Sequence, residues 1–246
     1  MWALLSMWKN PKMIAYTVLT AVLYAALIFP FQQFTIFGGH ADFGRVGIGI
    51  PVAFSFLFGP AAAWGAAIGN LVRDIATSRL DVASIFGFVG NFLIGFIPYK
   101  LWSAITTEKP DLKSPKKFGL FAGIALLVCA ICGVVIGWGL YWLGYTPFMP
   151  TAFLIALTDA LWAIVLGSVV LALTYGVISK RKLLYTDILN VQQTKPSWSK
   201  TRTFAILAFG ISIILCFVIG IFFIVNPFVL LAFVAVSIVA AAVACR

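Results

Sequence analysis

The chain has 246 residues, of which 63% are hydrophobic and only 10% charged, with a formal net charge of +10. A soluble domain carries about 25% charged residues, and no water-soluble globule of this size hides so much apolar side chain behind so few charges. Composition therefore excludes a soluble fold, and the placement of the basic residues in short segments between apolar runs argues for membrane topology rather than nucleic acid.

The first apolar run, Met13–Phe29, follows Lys9 and Lys12. It is too long for a signal-peptide core, and no small-x-small cleavage site follows, so it reads as a retained span. Residues 31–45, FQQFTIFGGHADFGR, hold glycines, amides, aromatics and the single histidine. That segment is no minimal turn. It suits a lid over a pocket, with Gly38, Gly39 and Gly44 permitting unusual backbone angles, while His40 by itself reads first as an exposed loop residue and not as a metal site.

Further runs follow at Val46–Phe58, Ala61–Thr77, Ser84–Ile105, Phe118–Gly144, Thr151–Ser179, Thr203–Val225 and Pro227–Ala244. Each is apolar enough for a helix in lipid, although the 46–58 run gives only about 20 Å of rise. Gly59-Pro60 and Asn226-Pro227 break adjacent runs and predict tight helical hairpins. The polar connections Thr106–Lys117 and Lys180–Arg202 are basic, suited to anionic lipid head groups or a docking partner. Eight spans with both ends inside place 14 of the 17 basic residues in the cytoplasm. Only Arg45, Arg73 and Arg79 then lie outside, with Asp42, Asp74, Asp81 and Asp159, and this asymmetry favours the N-in, C-in topology.

Polar groups inside spans are costly and mark sites or helix-to-helix knots. Asn91 and Asp159 are the deepest, and either role fits them; Arg45 and Arg73 are the expected partners of Asp159. Asn70 and Asp74 share a helix face beside Arg73, as a supporting ion-pair cluster. Trp138, Tyr141, Trp142 and Tyr145 recur at helical spacing. They form either an interfacial belt or, with Trp162, a stacking wall for a flat heterocycle. Cys129, Cys132, Cys216 and Cys245 lie in apolar runs and read as small hydrophobes rather than a metal or redox centre. The sequence contains no phosphate-binding loop and no hydrolase or metalloprotease motif, so binding and transport outrank enzyme chemistry, with no cofactor or metal implied.

Four features, taken in order, resemble the substrate-capture S component of energy-coupling factor transporters. They are the small-residue run Ala21-Val-Leu-Tyr-Ala25 in the first span; Arg45-Val-Gly-Ile-Gly-Ile-Pro51 after the lid; Phe58-Gly-Pro-Ala-Ala-Ala-Trp-Gly65 continuing to Gly69-Asn-Leu-Val-Arg-Asp74; and six spans with both ends inside. The resemblance implies an all-α membrane protein: a six-helix capture core over 10–180, a basic linker at 181–202 and an added two-helix hairpin at 203–246. It further implies a prokaryotic cell-membrane importer of a vitamin-like metabolite, bound by Gln33, His40, Asn91, Trp138, Trp142, Asp159 and Trp162, with Arg45, Asn70, Arg73 and Asp74 in support. Thr17, Ala21 and Ala25 are the expected docking face for a transmembrane scaffold subunit, which would work with two ATPase subunits. The alternatives are a self-sufficient transporter, proton-coupled through Asp159, and less favourably a membrane enzyme acting on lipid or prenyl substrates.

Overall fold

The computed structural model describes residues 2–31, 35–36, 41–42, 45–191, 200–222 and 227–244. Gln33 and His40 lie outside these, as do Pro196, Trp198 and Cys245.

The protein is a helical bundle whose long elements follow the apolar runs closely. These are α1 (Trp2–Ser6), α2 (Pro11–Ile28), α3 (Gly49–Phe58), α4 (Pro60–Ala76), α5 (Ala83–Ile105), α6 (Pro115–Trp142), α7 (Phe148–Lys180), α8 (Tyr185–Ile188), α9 (Lys200–Phe222) and α10 (Pro227–Ala244). Local signals explain the boundaries. Asn10 caps α2 by accepting from Lys12 N, Ser114 caps α6 by accepting from Lys117 N, and both helices open on proline. Between α2 and α3, Thr35–Ile36 pairs antiparallel with Ala41–Asp42, a short ladder that the mixed composition of this segment does not announce. Four helical segments, Pro11–Phe31, Ala83–Ile105, Pro115–Trp142 and Phe148–Ile188, are long and apolar enough to cross a membrane among the described residues. The protein is multi-pass.

The 46–58 run differs from a simple span. All ten residues of α3 are buried, and α3 packs against α2, α4, α5 and α7. A helix that is apolar on every side suits a protein interior as well as lipid, and here protein encloses it. The α3–α4 hairpin turns at Gly59, whose φ of +52° is a glycine conformation. A Cβ there would meet the Tyr185 ring at 2.7 Å. Tyr185 is buried under this turn and stands edge-on to Tyr99 at 5.1 Å. The segment around α8 thus folds back beneath the bundle, with Leu184, Ile188 and Leu189 packed on the core. At the same end α1 packs beside α4, where Trp64 Nε1 donates to Leu4 O at 3.1 Å and Trp8 meets Trp64 edge-on.

The terminal hairpin is attached, not separate. α9 packs on α6 and α7, and α10 on α6 and α5. A buried Ser212–Ser237 hydrogen bond of 2.7 Å joins its two helices.

The lower end of the bundle carries the α3–α4 turn and the α5–α6 connection; the end of α2 and the start of α3 lie at the upper end. The lower connection is organised by Lys117, which lies 2.8 Å from Asp111 and 3.8 Å from Glu108. The hydrogen bond from Lys117 holds the Asp111 carboxyl below its ordinary value. A lowered folded-state value means the contact stabilises above the ordinary carboxylate pKa of about 3.9 and is lost as pH falls through the lower, folded value. Lys117→Met should therefore flatten the acid limb of the stability-against-pH curve below about pH 4. An unaltered acid limb, measured by thermal unfolding in detergent, would contradict this role for the pair.

Candidate functional site

Three of the polar residues singled out in the sequence converge at one point in the upper half of the bundle. A short helical turn, Val46–Ile48, joins Arg45 to α3. Glycines let this segment wedge between neighbours: a Cβ on Gly47 would sit 2.8 Å from Tyr24 O, and one on Gly49 would sit 2.8 Å from Gly167 N. The Arg45 guanidinium is therefore delivered into the interior, where its Nη1 lies 3.1 Å from Asp159 Oδ2. Arg45 is 4% exposed and Asp159 fully buried. Asp159 stands eleven residues into α7, roughly 16 Å along its axis.

The other guanidinium nitrogen, Nη2, donates to the Tyr24 hydroxyl and to Asn91 Oδ1, each at 2.6 Å. Tyr24 also donates to Asn91 Oδ1, and Asn91 Nδ2 donates to Gly87 O at 2.7 Å. Cys132 of α6 faces the same guanidinium. Five elements thus supply one network in which opposite charges pair and share hydrogen bonds, the condition under which buried ionic groups are tolerable in a bilayer. It brings together a carboxylate, a guanidinium, an amide and a phenol, with no net charge.

The structure assigns the partner of Asp159 to Arg45 rather than Arg73. Arg73 instead lies 2.9 Å from Asp74, and Asn70 Nδ2 donates to the same carboxylate at 3.2 Å. This second cluster, on the upper end of α4, touches the first through α5. A Cβ on Gly87 would sit 2.8 Å from Asn70 Nδ2, and Gly87 O is the acceptor for Asn91.

The aromatic face of α6 is present. Trp138 and Trp142 lie parallel, 6.1 Å apart. Phe86 of α5, which sequence reasoning missed, stands edge-on to both and fills the recess left by Gly139. Trp142 remains half exposed. Trp162 packs elsewhere, on the core from α7 beside α3. Among the described residues no group of three His, Cys, Asp or Glu could hold a metal ion.

The docking residues require a correction. Thr17 and Ala21 are buried, because α4 packs over them: Cβ atoms on Gly65 and Gly69 would sit 2.7 Å from Thr17 O and 2.8 Å from Ala21 O. Small residues permit this close approach, but the neighbour is α4 of the same chain. Ala25 is partly exposed, while Val18 and Val22 face outward.

A family model described as QueT transporter matches residues 14–176, about two-thirds of the chain. The chain belongs to this family. QueT transporters are S components of energy-coupling factor transporters, membrane subunits that bind substrate, and not enzymes. No curated protein and no solved structure gave a match. The QueT match encloses Tyr24, Arg45, Asn91, Cys132 and Asp159; α8 and the terminal hairpin lie beyond it. Tyr24 was missed from sequence because it sits inside the small-residue run. A buried tyrosine needs a hydroxyl partner, and that requirement was the available signal.

Proposed function

We propose that this chain captures a small vitamin-like heterocycle, of which a queuosine precursor is the first candidate, on the upper face of the bundle, and that this face is extracellular. The observation that carries the reading is the buried Arg45–Asp159–Asn91–Tyr24 network in a member of the QueT family. A neutral network of donors and acceptors suits a heterocycle edge that exchanges hydrogen bonds with it, and Trp138, Trp142 and Phe86 supply aromatic surface. Gln33 and His40 complete the proposed contacts, and Trp162, packed beside α3, supports the site from behind instead of closing the aromatic wall. The lysine-bearing lower end faces the cytoplasm, in keeping with the charge asymmetry.

S components work with a scaffold subunit and ATPase subunits. The exposed face of α2, with Val18, Val22 and Ala25, is the proposed docking face for such a scaffold in this protein.

Uptake of a labelled queuosine precursor into cells carrying the chain tests the reading. It should require co-expression of the scaffold and ATPase subunits and survive a proton uncoupler. Uptake that persists without ATPase subunits and collapses with the proton gradient would instead establish the self-sufficient transporter. Labelling from outside of a cysteine engineered beside Lys116 would reverse the sidedness.

A further inference from the structure

α5 carries Pro98 in its interior. In an unbroken helix Tyr99 N–H would donate to Gly95 O, four residues back. Beside the proline, Tyr99 N–H donates to Ser55 Oγ at 3.1 Å, and Ser55 Oγ donates in turn to Gly95 O at 2.7 Å, so the hydroxyl bridges the same two backbone groups. A side-chain hydroxyl from α3 is therefore spliced into the backbone ladder of α5 beside its proline, a known cause of helix bending. Ser55 is fully buried, and unsatisfied backbone groups are costly away from water, so the bridge is a strong constraint on both helices.

The two helices it joins each carry part of the network. Asn91 lies one turn above Gly95 on α5. Arg45 lies at the head of α3, joined by the turn Val46–Ile48. The break is also clamped from its other side, because a Cβ on Gly95 would sit 2.5 Å from Ala62 O of α4. The network's own hydrogen bonds set how Arg45 and Asn91 meet; the splice sets where the helices bearing them lie.

We infer that Ser55 is a positioning residue for the ligand site: its hydroxyl, held between Gly95 and Tyr99, fixes the register of α3 against α5 and so the placement of Arg45 relative to Asn91. The inference rests on the site proposed above, but its test uses no substrate, so a chain that imports something else leaves the result interpretable.

Two native thiols provide the readout. Cys132 faces Arg45, whereas Cys216 is equally buried in α9, away from α3. The full chain in membrane vesicles is treated with N-ethylmaleimide, and modification at each cysteine is followed by peptide mass spectrometry. Ser55→Ala should raise the rate at Cys132 about tenfold while Cys216 stays within about twofold of the wild type, and Ser55→Thr, which keeps the hydroxyl, should restore protection. Unchanged Cys132, a parallel rise at Cys216 that signals general loosening, or failure of threonine to restore protection would each overturn the inference.

Discussion

Arg45→Gln should destabilise the bundle by about 3–5 kcal/mol, the usual cost of breaking one side of a buried ion pair. The substitution strands the Asp159 carboxylate in the interior and removes the donor shared by Tyr24 and Asn91. Asp159→Asn should cost at least as much, because it leaves the Arg45 guanidinium buried without a counter-charge, and arginine, unlike a carboxylate, cannot neutralise itself by exchanging a proton. The informative variant is the double one. Arg45→Met with Asp159→Leu replaces the pair by apolar groups, and such replacements are often neutral or stabilising. It should recover most of the stability lost in Arg45→Gln, as read by denaturant titration in mixed micelles, yet transport nothing. Wild-type uptake by the double variant would show the pair to be a helix-to-helix knot and remove it from the ligand site.

The second large effect is expected at the α6–α7 contact. A Cβ on Gly133 would sit 2.4 Å from Ala152 O and 3.0 Å from Ala156 N, both backbone atoms with no rotamer to escape into. Gly133→Leu should therefore push α7 away from α6, and with it Asp159, one turn below Ala156. A loss of about 3 kcal/mol, at the upper end for overpacking, should accompany loss of uptake. The same helix provides the control: a Cβ on Gly123 meets nothing within 4 Å. Gly123→Leu should fold and transport as the wild type does. Equal behaviour of the two variants would mean that α6 and α7 do not pack through Gly133.

The helices were legible because their punctuation is physical. Pro11, Pro60, Pro115 and Pro227 stand at helix starts, and Gly59 sits where only glycine turns easily. The encasement of α3 was not legible. A run such as Gly49–Phe58, whose only polar side chain is Ser55, meets lipid and protein interior on nearly equal terms, so hydropathy cannot separate them. Asp159, Asn91 and Arg45 stood out as polar groups in apolar surroundings, and they do meet. Their fourth partner, Tyr24, was obscured by the alanines around it. Thr17 and Ala21 resemble a surface for a partner protein because small residues at a four-residue spacing admit any helix. The complementary spacing of Gly65 and Gly69 within the same chain was the clue that α4 takes that place. Phe86 escaped notice because nothing local pairs it with Gly139, which lies far along the chain.

The seat of Tyr185 beneath Gly59 bears on how the extra C-terminal residues can be studied. The QueT match stops at residue 176 and the sequence pattern suggests a seam near 180, yet the stretch through Leu189 is folded against the underside of the core. Truncation at that apparent seam would strip the floor from the α3–α4 turn, and a defect caused by the missing floor would be blamed on the missing helices. Stopping the chain after Val191 removes α9 and α10 while keeping the floor in place.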